Sequence, residues 1–319
     1  MRVVFLGTPG FAVPSLRALH SCTEPVCELV GVVTQPDRPA GRGQKLTPSP
    51  VKMLATEYGI PVFQPECLRS GDVAQKFVEQ VNPHLMIVVA FGQILEPELF
   101  SYPPLGTLNV HASLLPKYRG AAPVVHALLN GEHETGVTIM KINEGMDTGA
   151  ILSQSTVKVG SDTNAAELEK VLAHQGAELL IQTISGYATG EINPVFQNSE
   201  QVTYAPRIGK GDVRIDWSWD SLQIHNRVRA LNPRPVATTN FRGKTVKIWR
   251  TSMVQEKVKD LDGCHSPGVI LSLDRQKLLV ACGGGCCVLI EELQMPNRRR
   301  ISAGEFINGM TPEVGEAFT

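Results

Sequence analysis

The chain has 319 residues, of which 42% are hydrophobic and 19% charged, with a formal net charge of −1. Length and composition fit a globular protein of about two domains. No apolar run approaches the ~20 residues of a membrane span; seven cysteines, an odd number, read as reduced thiols, not a disulfide framework.

The chain opens on Arg2 to Leu6, an apolar strand, with neither a signal peptide nor a transit segment ahead of it, so a cytoplasmic protein without membrane association is expected. The turn Gly7-Thr8-Pro9-Gly10 invites a dinucleotide-binding reading. A GxGxxG fingerprint needs glycine where Pro9 stands, and Pro9 and Pro14 remove backbone N–H groups that a pyrophosphate would use. The turn reads as a tight strand-to-helix connection, with a helix over Pro14 to His20.

Further strands are predicted at Leu29 to Thr34, Leu85 to Ala90, Thr107 to His111, Gly136 to Lys141 and Ala150 to Lys158, and helices at Pro123 to Leu129 and Ala165 to Ser185. Leu85 to Ala90 is almost wholly apolar, the pattern of a strand covered on both faces. Strands interleaved with helices imply an α/β, Rossmann-like, mostly parallel sheet over residues 1–186, with ligands at the carboxyl ends of its strands. Residues 187–206 lose periodicity and read as a linker. Over 207–319 the pattern turns to short strands at Val246 to Thr251, Gly268 to Leu273, Leu278 to Ala281 and Val288 to Leu293, which suggests a smaller OB-like β-barrel. Cys282, Cys286 and Cys287 flank a glycine turn without the paired spacing of a zinc site, so no metal is expected.

Charge divides unevenly. From Arg207 onward 17 Lys and Arg face 12 Asp and Glu, a net of +5, while residues 1–206 carry −6. A basic second half is the pattern of a domain that meets a polyanion.

Asn109 and His111 lie two apart on one strand, so their side chains leave the same face. An Asn amide can donate to a developing oxyanion, and a histidine can exchange a proton near neutral pH. Asp147 lies in the glycine-flanked turn Glu144-Gly145-Met146-Asp147-Thr148-Gly149, where a carboxylate near His111 would fix the imidazole's tautomer. Each residue alone also fits a structural role, His111 as a satisfied strand histidine and Asp147 as an Asx turn.

The stretch His111-Ala-Ser-Leu-Leu-Pro-Lys-Tyr-Arg-Gly120 followed by Gly145-Met-Asp-Thr-Gly149 resembles the signature of the folate-dependent formyltransferases. The resemblance implies the formyltransferase fold, with Asn109, His111 and Asp147 as the active site. It also implies that Ser113, Leu114, Leu115 and Pro116 contact 10-formyltetrahydrofolate as co-substrate. Two features bear on the acceptor. The segment Gln35 to Pro50, expected as a long loop carrying Arg38, Arg42 and Lys45, resembles the tRNA-contacting loop of the tRNA-acting members of this family. The stretch from Ala205 to Pro233, with Lys210, Arg214, Arg227 and Arg229 as candidate cations, resembles the same members. The implied partner is initiator Met-tRNA, bound through Arg38, Arg42, Lys45 and Lys210 by a monomeric enzyme, with direct attack of the neutral α-amine. Members acting on glycinamide ribonucleotide are about one domain long and leave 207–319 unexplained. Sugar-nucleotide formyltransferases, formyltetrahydrofolate hydrolases and, outside enzymes, a non-catalytic RNA-binding module stay open.

Overall fold

The computed structural model of the chain describes residues 1–22, 27–40, 43–68, 72–254, 265–274 and 276–319. Its residues cluster into two units. The first comprises Met1–Pro123, Glu134–Lys158 and Glu169–Tyr204; the second comprises Val124–His133, Val159–Leu168 and Ala205–Thr319.

In chain order the elements begin β1 (Arg2–Gly7), α1 (Val13–Ser21), β2 (Glu28–Val33), β3 (Arg38–Ala40), β4 (Lys45–Thr47), α2 (Pro50–Glu57), β5 (Val62–Phe63), α3 (Asp72–Val81), β6 (Leu85–Val89) and α4 (Pro97–Phe100). They continue with β7 (Thr107–His111), α5 (Pro123–Leu129), β8 (Glu134–Lys141), β9 (Ile151–Lys158) and α6 (Ala165–Ala188). The first unit holds a seven-stranded sheet in the order β5-β2-β1-β6-β7-β8-β9. From β5 to β7 neighbours run parallel, and β8 and β9 add an antiparallel edge. Every residue of β6 is buried, as expected of a central strand with helices on both faces. Val4, Leu6, Met86 and Val88 pack with Phe91 and Leu99 in one core, and each such side chain contributes ~1.5–3 kcal/mol by leaving water.

The Gly7 turn is a packing device. A Cβ there would press on Phe5 and Ala12, and Thr8 Oγ1 donates to the Phe91 carbonyl at 3.0 Å. The segment expected as a loop after β2 is largely a hairpin, β3 pairing antiparallel with β4. Its base is fastened by Asp37, whose carboxylate accepts from Lys52 Nζ at 2.7 Å and Gln64 Nε2 at 2.8 Å. The Lys52 bond, then the Gln64 bond, hold this carboxyl below the ordinary aspartate range.

Of residues 187–206, read from sequence as linker, the stretch through Tyr204 belongs to the first unit. Ile151 and Val195 exchange both backbone hydrogen bonds at 2.8 Å, and Arg119 N donates to the Thr203 carbonyl at 2.9 Å. Backbone hydrogen bonds, with those of the Gln197 and Thr203 side chains, make the attachment, so the segment carries no apolar period.

The second unit is built on α7 (Ser221–Ala230), β10 (Ala237–Phe241), β11 (Lys244–Met253), β12 (Ile270–Asp274), β13 (Lys277–Ala281), β14 (Cys287–Gln294), β15 (Ile301–Ser302) and α8 (Ala303–Met310). Capping boxes start both helices, Asp220 with Gln223 for α7 and Ser302 with Glu305 for α8. The antiparallel sheet runs β10-β11-β14-β13-β12, with β15 on β14. Residues 316–319 bridge its two edges. Phe318 pairs with Phe241 beside β10, Ala317 pairs with Val269 beside β12, and Phe318 is 1% exposed among Trp217, Phe241 and Phe306. That closure makes the sheet a small barrel. Cys282 and Cys287 are buried in this unit, and burial pushes the Cys282 thiol up to about 12.

Candidate active site

Asn109 and His111 project from the last turn of the pleat in β7, at the carboxyl end of the parallel strands, where α/β sheets place their ligands. Register sets them: Asn109 lies between Val88 and Met140, and His111 opposite Thr138. Asn109 is half-buried, and among the described residues its carboxamide has no hydrogen-bond partner, so donor and acceptor are both open.

His111 is buried. Its Nε2 lies 3.0 Å from the Tyr118 carbonyl oxygen, which can only accept, so Nε2 carries the proton. Nδ1 is thereby the nitrogen left to gain or lose one. It faces Asp147 Oδ2 at 3.7 Å, an ion-pair separation longer than a hydrogen bond. The sequence assigned the tautomer to Asp147. In the structure the Tyr118 carbonyl fixes it, while Asp147 supplies charge beside the free nitrogen.

Asp147 is held on its own terms. Oδ2 accepts from Gly120 N at 2.8 Å, and the backbone sits at φ 52, the left-handed region that Asp tolerates better than most residues. Gly149 follows because a Cβ there would run into the Lys141 carbonyl. Gln197 Nε2 donates to the carbonyls of Asp147 and Gly149, each at 2.8 Å, and Gln197 Oε1 accepts from Arg119 Nε and Nη2 at 3.0 and 2.7 Å. Nothing in the sequence pattern gave Tyr118, Arg119, Gln197 or Thr203 a role, because the hydrogen bonds that join 118–119 to 197 and 203 span about eighty residues of sequence.

The segment Ser113 to Pro116 lies beside this group. Ser113 is fully buried and its Oγ donates to the Lys117 carbonyl at 2.6 Å; Leu115 is also buried. Leu114 and Pro116 are half-buried. Thr138 Oγ1 pins the loop: it donates to the Ser113 carbonyl at 2.6 Å and accepts from Leu115 N at 3.1 Å and Gln154 Nε2 at 2.9 Å.

Of the predicted RNA contacts, Arg38 and Lys45 are exposed on β3 and β4, where the pairs Arg38–Thr47 and Ala40–Lys45 put both cations on one face of the hairpin. Arg42 lies outside the described residues. Lys210 is exposed in the second unit, as is Arg214. Arg229 is not available: it is 7% exposed and donates to Asn226 Oδ1, Gly160 O and Thr163 O. Arg227 is half-spent, its guanidinium 4.4 Å from the Trp219 ring centre. Among the described residues no helix is long and apolar enough to cross a membrane.

A family model described as formyl transferase matches residues 1–184, and one described as formyl transferase, C-terminal domain, matches residues 207–311. Fold and site together thus define a formyl-transferring enzyme. A protein named methionyl-tRNA formyltransferase from Methylococcus capsulatus is 45% identical over 308 residues, covering 97% of this chain and 96% of its own. One of the same name from Geobacter metallireducens is 43% identical over 315 residues, covering 99% and 97%. The chain belongs to the formyl transferase family. Among solved structures, an N-formyltransferase from Helicobacter canadensis, in complex with folinic acid and dTDP-3-aminofucose, matches with a TM-score of 0.65 at 20% identity over 92% of this chain and 98% of its own. HypX from Aquifex aeolicus in complex with tetrahydrofolic acid matches at 0.62 and 18%, over 99% and 48%. At these identities the two structures share the fold alone.

Proposed function

We propose that the chain moves a formyl group from 10-formyltetrahydrofolate to the α-amino group of initiator Met-tRNA, as a cytoplasmic monomer. The observation that carries the chemistry is the placement of His111 Nδ1 opposite Asp147 Oδ2 at 3.7 Å, on the strand face that also presents the unpartnered Asn109 amide. Likeness to the two relatives over both domains supports the choice of acceptor.

Attack of a neutral amine on the formyl carbon forms an N–C bond and leaves negative charge on the formyl oxygen. The Asn109 amide and the Nδ1–H of a charged His111 are the donors for that oxygen; losing one such donor typically costs roughly 10²–10³ in rate. The Asp147 carboxylate balances the imidazolium, and its position suits it to take up the proton the amine gives away, directly or through water. The bond to N10 then breaks, and that nitrogen leaves with a proton. Leu114 and Pro116 offer an apolar wall to the pterin side of the folate, and Ser113 and Leu115 shape the loop from within.

On the acceptor side, Arg38 and Lys45 share a face of the hairpin, Arg42 lies between them in sequence, and Lys210 is exposed on the barrel unit. Such cations grip phosphates.

The test incubates the protein with 10-formyltetrahydrofolate and initiator Met-tRNA and looks for formyl-methionine. Parallel reactions offer a sugar-nucleotide amine, or water alone. Formylation of the sugar amine, or hydrolysis alone, would overturn the acceptor; no formyl transfer to anything would overturn the chemistry.

A further inference from the structure

We infer that Gln197 and Arg119 are positioning residues that set Asp147 against His111, an inference that rests on the catalytic reading of Asp147 above. Three consecutive residues form one clamp. The Tyr118 carbonyl receives His111 Nε2 at 3.0 Å, Gly120 N donates to Asp147 Oδ2 at 2.8 Å, and between them the buried Arg119 side chain reaches Gln197 Oε1. The clamp is anchored from behind by Thr203, whose Oγ1 accepts from Tyr118 N at 2.8 Å and whose carbonyl accepts from Arg119 N at 2.9 Å.

Gln197 carries the clamp to the backbone of the Asp147 turn. Its Nε2 spans the carbonyls of residues 147 and 149, using both protons. Its amide cannot flip, because a guanidinium only donates and the two carbonyls only accept. This fixes a residue whose φ of 52 lies where a side-chain-bearing residue needs outside support. Exposure along this segment runs against hydrophobicity: Phe196 is 90% exposed while the amide of Gln197 turns inward. A segment selected for packing alone would place these two the other way round.

Gln197→Glu tests the idea, with Gln197→Ala beside it. The glutamate keeps an acceptor for Arg119 but sets a carboxylate oxygen against the carbonyls of Asp147 and Gly149, releasing the turn. The expected result is a kcat lowered by about 10-fold to 100-fold, the scale of a misplaced reacting group, with KM for the folate unchanged. In an Asp147→Asn background the same change should cost less than about 2-fold, because coupled residues are non-additive. Equal losses in the two backgrounds, or both Gln197 variants keeping more than half the wild-type kcat, would overturn the inference. Asp147→Asn alone reports on the underlying reading: full activity there would remove the catalytic role of Asp147, a failure visible separately from that of Gln197.

Discussion

The Tyr118 carbonyl oxygen lies 3.0 Å from His111 Nε2, and through that bond the backbone chooses which imidazole nitrogen does chemistry. The neutral ring is therefore the Nε2–H tautomer, with Nδ1 bare toward Asp147. Nitrogen-15 NMR of the labelled protein should show the neutral His111 ring protonated on Nε2. A neutral form protonated on Nδ1 would contradict the assignment.

Asn109→Ala and Asp147→Asn should each lower kcat by roughly 10²–10³, the usual cost of losing a donor or its charge partner at a developing oxyanion. Folate affinity, read by fluorescence titration, should stay nearly constant. A variant keeping more than about a tenth of the wild-type rate would remove that residue from the mechanism.

Thr138→Val keeps the shape of a fully buried side chain and deletes one hydroxyl that serves the Ser113 carbonyl, Leu115 N and Gln154 Nε2. Leaving such groups unpaired costs about 1–3 kcal/mol. The thermal midpoint should fall, and KM for the folate should rise because the loop from Ser113 to Pro116 loses its pin. A lowered midpoint with unaltered KM would separate the loop from folate binding.

Glu316 couples barrel closure to pH. Bidentate bonding from Arg242, first, and the Glu313 backbone N–H, second, bring its carboxyl from an ordinary 4.5 down to about 2. A carboxyl with a depressed folded value stabilises the fold above its unfolded value, and loses that contribution as pH falls through 4.5 toward about 2. The gap in thermal midpoint between wild type and Glu316→Gln should therefore be constant above this window and close across it. A gap that persisted unchanged at the acid end would refute the linkage.

Arg38→Ala and Lys45→Ala should raise KM for the tRNA, leave KM for the folate alone, and flatten the salt dependence of tRNA binding. Removing one phosphate-gripping cation changes the slope of log K against log salt by ~0.7–0.9. An unchanged slope would take the hairpin face out of the RNA interface.

Much of the first unit was legible because burial on both faces leaves a continuous apolar run, as in Leu85–Val89. The pair Asn109 and His111 was legible from strand alternation alone. What escaped has a common cause. Pro48-Ser49-Pro50 reads as loop, yet Ser49 accepts from Lys52 N at 3.0 Å and Pro50 opens α2, a start signal hidden among prolines. Strands β3 and β4 have three residues each, and β4 is exposed throughout, with no alternation of burial to mark it. Residues 187–206 read as linker because Gln197 and Thr203 bind by hydrogen bonds, which no hydropathy period records.

Arg229 bears on how such a protein can be inherited or taken apart. Its guanidinium rests in the second unit on carbonyls of Gly160 and Thr163, sixty-odd residues upstream, and a Cβ on Gly131 would come within 2.8 Å of Asn226 Nδ2. A single cut near residue 206, in the laboratory or by recombination, would strip these carbonyls from the guanidinium and lose the hydrogen bonds they accept. The second unit thus takes in two upstream segments, residues 124–133 and 159–168, and an exchange between relatives that keeps it whole carries both.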